Sequence, residues 1–275
     1  MTTMSYGELL AEARKDVDTA IEVWRQLIHE RLSDRIDYAI LKGSGIKEWE
    51  SPVDYVPVIS DIDIHVGTKE GMPLFPKNRD GFLYSLETTR LYEEMFKEKR
   101  PDHLHIPRPQ IMVVEENRGE WLPESLGEVK PLYGEVPLKP EESLESLRAR
   151  DLDELAGLTP LLDRLPEYVI ERIDLEYYRV LRMLCYVVSP TPVRVLSQST
   201  DPKHAWKLNR TNLLRMLEHN GLNDIAEPYR EYYHTGWKAF TEGFRGNDTM
   251  RRLITHAYDV LYASHEAVRE KVEQR

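Results

Sequence analysis

The chain is poor in cysteine, in phenylalanine and in long apolar runs. The single Cys185 among 275 residues excludes an intramolecular disulfide and any cysteine-based metal knuckle. A reducing, cytoplasmic setting is therefore the default expectation. No apolar stretch approaches the ~20 residues that a membrane-spanning helix requires, so no membrane partner is expected. The opening MTTMSYGELLAEARKD has no basic region followed by an apolar core, which argues against a secretory signal. Excess positive charge is also missing. Lysine and arginine number 37 against 48 aspartates and glutamates, a formal net charge of −11. That balance disfavours a protein that coats nucleic acid, because phosphate contacts need a basic face. What is present is globular: 41% hydrophobic and 31% charged residues, enough chain for one large or two modest domains.

The charge is unevenly spread. Residues 1–145 hold 18 bases and 29 acids, and residues 146–275 hold 19 of each. Within the second part, residues 177–275 carry 15 bases against 11 acids, a net of +4. The front is acidic and the last hundred residues are mildly basic, a hint about partners.

Periodicity divides the chain at the same place. Leu10, Ala13, Val17, Ala20, Ile21, Trp24, Leu27, Ile28 and Leu32 predict a long helix from residue 5 to about 36. A short strand, Tyr38 to Leu41, runs into Lys42-Gly43-Ser44-Gly45. Residues 46–60 hold two prolines and read as a loop. Residues 61–66 (DIDIHV) alternate, putting Asp61, Asp63 and His65 on one face and Ile62, Ile64 and Val66 on the other. A helix is predicted over 80–100, a strand over 110–115, and a hairpin or edge strands over 125–140. From about 141 the pattern turns helical. Pro166 is expected to open a helix reaching Ser189, with Ile170 and Ile173 on its apolar stripe. A further helix runs from the Asp201-Pro202 cap to Asn220-Gly221, and two more cover 223–243 and 248–273. The expected class is α+β: an N-terminal α/β domain with a small mixed sheet (1–145), then a C-terminal helical bundle (146–275).

The chemistry concentrates in residues 38–66. Two carboxylates one residue apart on a strand share a face, about 7 Å apart at the backbone, so their oxygens can converge on a hard cation. Mg²⁺ (or Mn²⁺) favours such carboxylates together with substrate phosphates. Upstream, glycines flank Ser44, and exposed N–H groups with a hydroxyl suit phosphate oxygens. A phosphate-holding turn followed by an Asp-x-Asp strand is a minimal site for metal-assisted nucleotidyl transfer.

On these residues, LKGSG and then SDIDIHV, the sequence resembles the nucleotidyltransferase superfamily that includes DNA polymerase beta. It is most similar to small-molecule adenylyltransferases of the aminoglycoside type and to minimal nucleotidyltransferases of the MNT type. The resemblance implies an N-terminal nucleotidyltransferase domain whose Asp61 and Asp63 bind Mg²⁺. It implies that Gly43 and Ser44 contact the triphosphate, and that a helical domain helps to form the acceptor site. It also implies ATP or another nucleoside triphosphate as substrate and a small-molecule acceptor. An RNA end is a disfavoured alternative.

Two departures stand out. The spacer between Ser44 and Asp61 is long, which suggests an added loop. The third acidic position of the family aligns with Gln110, an amide that cannot act as a base. Glu115, Asp102 or a residue of the helical domain would then have to serve, and Glu115 is taken as the candidate. The other possibility is a nucleotide-binding or regulatory protein with weakened or absent catalysis. Lys203, Lys207 and Arg210 recur at i, i+4, i+7, offering one cationic helical face to a triphosphate, with Trp206 as a stacking surface; a solvated helix with a buried tryptophan is the competing reading. For His65, for His103 and His105, and for Tyr232, Tyr233 and Trp237, ordinary structural roles are favoured over metal or acceptor binding.

Overall fold

A computed structural model describes residues 4–114, 129–137 and 142–273. It is an α+β structure with one small mixed sheet and mostly helical content. The chain falls into two compact units. The first runs up to Glu48 and resumes at Ser60; the second takes Trp49–Ile59 and resumes at Glu142.

In the first unit, Ser5 caps helix α1 (Tyr6–Leu27) in a reciprocal arrangement with Glu8. Its apolar positions, from Leu9 to Leu27, are buried as the spacing predicts. The helix ends earlier than expected, in one wide π turn over Ile28–Leu32, because the chain must enter strand β1 (Ile36–Lys42) at Ile36. Strand β2 (Ile62–Thr68) follows, then helix α2 (Arg79–Lys99), β3 (Pro109–Val113) and β4 (Lys130–Gly134). The order is β3-β2-β1-β4. β1 runs antiparallel to both β2 and β4, while β2 and β3 are parallel. The two central strands are nearly continuously buried, as strands covered on both faces should be.

A buried carboxylate fixes the approach to β3. Asp16 of α1 is wholly inaccessible. Its Oδ2 accepts from the backbone N–H groups of Leu104 and His105, each at 2.9 Å, and lies 3.1 Å from His105 Nδ1. Its Oδ1 accepts from Arg100 Nε at 3.0 Å, and Arg100 also pairs with Glu12. Tyr92 of α2 donates its hydroxyl to the Pro107 carbonyl. His105 is therefore a buried partner of Asp16, not part of a solvated strand, and His103 Nδ1 is occupied by the Arg100 carbonyl.

The second unit contains α3 (Leu144–Ala156), α4 (Leu158–Ile170), α5 (Tyr177–Val188), α6 (Thr191–Ser197), α7 (Pro202–Lys207), α8 (Arg210–His219), α9 (Asn223–Thr241) and α10 (Asn247–Glu273). α10 is its hub, touching α9, α5, α3, α6 and α4. Two expectations are corrected. Pro166 lies inside α4, because buried Leu158, Leu162 and Leu165 carry the helix past it. The helix expected to reach Ser189 is broken at 171–176, leaving Ile170 80% and Ile173 70% exposed. Among the described residues no helix is long and apolar enough to cross a membrane.

Residues 49–59, which read as a loop, are held firmly in this unit. Asp54 accepts from the N–H groups of Glu50 and Ser51, and from both N–H and hydroxyl of Thr211. Trp237 Nε1 donates to the Pro52 carbonyl at 2.8 Å and Arg182 Nη1 to that of Val58 at 2.6 Å.

Asp16→Ala would leave the buried His105 N–H and the half-buried Leu104 N–H without their acceptor, and would take from Arg100 one of its two carboxylates. We expect a loss of about 3 kcal/mol in urea-induced unfolding. Burial holds the His105 imidazole below its ordinary range despite the opposing pull of Asp16. The unfolded chain, whose histidines titrate near 6.5, then binds more protons than the folded chain below that pH. Stability falls as pH drops through 6.5, by up to about 1.4 kcal/mol per pH unit for this residue. In His105→Gln the acid limb of the stability profile should be measurably flatter.

Candidate active site

The Gly43-Ser44-Gly45 segment is a single 3₁₀ turn at the end of β1, in contact with β2. Gly43 takes a φ of +72°, a conformation that side chains disfavour. A Cβ there would also meet Asp63 Oδ2 at 2.0 Å, so the carboxylate would have to shift. Gly45 is buried with its α-carbon side toward Val17 of α1, and Arg14 of α1 donates to the Lys47 carbonyl at 3.1 Å. The turn is thus held from the helix side and pressed against the carboxylate strand.

The register of β2 organises the rest. Lys42 stands opposite Asp63 across the β1–β2 pair, and Gln110 stands opposite Asp63 across the β2–β3 pair. Side chains directly opposed in a sheet share a face. Lys42, Asp63 and Gln110 are therefore neighbours, with Asp61 one step along. The Gln110 amide, oriented by its hydrogen-bonding surroundings with nitrogen toward the acids, donates to Asp61 Oδ2 at 3.1 Å and Asp63 Oδ1 at 3.3 Å. Arg108 pairs its Nη2 with Asp61 Oδ2. The Asp61 side chain is 14% exposed and that of Arg108 37%. His65 shares the strand but is buried, and burial with the nearby Lys42 charge pushes its pKa down to about 3. It stays neutral at ordinary pH and adds no charge beside the aspartates.

Gly43, Ser44, Asp61 and Asp63 therefore come together in the first unit. Glu115 lies outside the described residues, and Asp102 is exposed on the turn after α2. Among the described residues no group of three or more His, Cys, Asp and Glu side chains is arranged to hold a metal. Asp61 and Asp63 do fit the smaller demand of Mg²⁺, which takes one or two carboxylates and completes its shell with water and phosphate oxygens.

The cationic residues of the second unit depart from expectation. α7 ends at Lys207, Leu208 is extended, and Asn209 caps a new helix that begins at Arg210. Lys203, Lys207 and Arg210 are consequently not one helical face. Arg210 is turned inward: its Nη1 donates to the Asp54 carbonyl at 2.7 Å, and its guanidinium lies 4.3 Å from the Tyr233 ring centre. Trp206 donates to Asp151 at 3.1 Å. Tyr232, Tyr233 and Trp237 are core, each 1% exposed or less.

Two residues escaped sequence reasoning. Lys42 precedes the glycine turn and Arg108 sits two residues before Gln110, a spacing that puts both on one strand face. Only the pairing of β2 with both neighbours reveals that they flank the aspartates. No protein-family model, curated protein or solved structure matches this chain.

Gly43→Ala should be costlier than Gly71→Ala. Both glycines have a φ of +72°, but a Cβ at Gly71 meets nothing within 4 Å. Thermal unfolding should show a loss of about 1 kcal/mol for Gly71→Ala and at least twice that for Gly43→Ala. Equal losses would mean that Asp63 does not press on the turn.

Proposed function

We propose that the first unit binds a nucleoside triphosphate with a divalent metal and transfers its nucleoside monophosphate, AMP from ATP, to an acceptor hydroxyl, releasing pyrophosphate. One observation carries this reading: the glycine turn lies directly against Asp63, so the turn proposed to hold phosphate and the carboxylate proposed to hold metal are neighbours. Asp61 and Asp63 would hold Mg²⁺ or Mn²⁺. The metal, when bound, supplies neutralisation of the triphosphate and polarisation of its α-phosphorus. The turn's N–H groups and the Ser44 hydroxyl would hold phosphate oxygens, while Lys42 adds positive charge on the same face. The acceptor hydroxyl must still lose a proton. Gln110 has no basic site to take it and instead orients the two carboxylates by donating to both.

That last feature favours a second reading, a nucleotide-binding or regulatory protein in which transfer is weakened or absent. The two readings separate by experiment. Labelled ATP is incubated with Mg²⁺ or Mn²⁺ and a set of acceptors that includes aminocyclitols and short RNA, with binding followed by calorimetry. The expected results are Mg²⁺-dependent ATP binding and acceptor-dependent pyrophosphate release, both lost in Asp63→Asn. Gln110→Glu, which restores a third carboxylate, should raise turnover by about a hundredfold. ATP binding with no turnover in either protein supports the second reading. An Asp63→Asn variant that binds and turns over ATP as the parent does sinks both.

A further inference from the structure

The carboxylate pair already has a cation. Arg108 Nη2 pairs with Asp61 Oδ2, and Lys42 stands opposite Asp63 in the sheet. Among the described residues, counting Lys42, Arg108, Asp61 and Asp63, the side-chain charge is 2 − 2 = 0. A divalent ion arriving alone must therefore displace the guanidinium from Asp61. It also turns a neutral site into one of charge +2. The displaced guanidinium would lose its carboxylate in a partly buried place, which is unfavourable without a replacement anion.

A metal arriving with a triphosphate meets different conditions. The nucleotide carries phosphate oxygens to the same place, and the fork of an arginine suits them as well as it suits a carboxylate. Arg108 is built for such an exchange. Its backbone is pinned at the head of β3, where its carbonyl accepts from the Ile62 N–H at 3.0 Å. Its side chain is 37% exposed.

We propose that Arg108 is an exchangeable internal counter-ion that blocks divalent metal at Asp61 until a nucleoside triphosphate arrives to take the guanidinium. The inference rests on the metal–nucleotide reading of the site and deepens it, because it makes metal and nucleotide bind with positive, reciprocal coupling. Free metal is refused, and the metal–nucleotide complex is selected. Arg108 then acts on the substrate as a phosphate ligand.

The test measures binding, not turnover. Mn²⁺ is titrated into the full chain and the protein-bound ion is read by electron paramagnetic resonance, with and without α,β-methylene ATP, after subtracting the Mn²⁺–nucleotide complex measured in protein-free controls. The parent should bind Mn²⁺ alone weakly and about tenfold or more tightly with the nucleotide present. Arg108→Gln should bind Mn²⁺ alone about tenfold more tightly than the parent, and the nucleotide should then improve it less than about threefold. Arg108→Lys, which keeps the charge, should retain most of the coupling and guards against a merely structural loss. Two results overturn the proposal in distinguishable ways. Should Arg108→Gln bind Mn²⁺ alone no better than the parent, while Asp63→Asn abolishes binding, the counter-ion role fails and the site reading stands. Should no protein bind Mn²⁺, with or without nucleotide, both fail together.

Discussion

A carboxylate with no access to water, Asp16, is the constraint on which the first unit depends. One side chain on α1 gathers two backbone N–H groups, an imidazole and a guanidinium from the segment that leaves α2. Burying such a group is tolerable only because its oxygens find four donors. Burial works to raise its pKa, but the hydrogen bonds from His105 and Arg100 leave it below the ordinary carboxylate value. The result is mechanical. The chain at 104–105 is fixed against α1, Tyr92 holds Pro107, and β3 starts at Pro109 with its register set. Arg108 and Gln110 reach Asp61 and Asp63 because this clamp leaves their strand little freedom to slide, and a slip of one residue would turn both side chains to the opposite face.

The second unit uses the same device on a different segment. Asp54 gathers N–H groups from its own loop and from the start of α8, and Arg210 covers the neighbouring carbonyls while lying over Tyr233. The segment is chemically part of the helical unit although its sequence neighbours on both sides belong to the other. The peptide chain thus enters it from the glycine turn and leaves it toward the aspartates. The long spacer that separates the two motifs is ordered structure with its own hydrogen-bond accounting, not slack between them.

What was legible in the sequence followed from periodicity. The helical face of α1 and the alternation of β2 depend on local spacing, which a single sequence displays. The Asp-x-Asp face and the glycine turn were visible for the same reason, and the amide at residue 110 stood out against the expected acid. The illegible parts depend on contacts between distant residues. The acid that meets His105 is not Asp102, three residues away, but Asp16, 89 residues earlier. Pro166 is a good helix opener by propensity, but three buried leucines outweigh it. The cationic run at 203–210 had helical spacing, but Asn209 offered a cap that begins a new helix, and the Asn212 N–H donating to its side-chain oxygen decided the outcome.

Charge tells the same story at a finer scale. The net −11 and the acidic front suggested a lobe suited to cations. Around the aspartates that average does not hold, because Lys42 and Arg108 balance them locally. A site that was simply acidic would take up divalent metal whenever it was available, and would keep it whether or not substrate followed. A site already neutral gains little from a bare cation and more from a cation that brings its own anion. The presence of an amide at 110, where a third acid would tip the balance to negative, sharpens that difference. On the proposed reading, local neutrality ties the amide at 110 to the guanidinium of Arg108 in one electrostatic arrangement that would favour a metal–phosphate complex over either part alone.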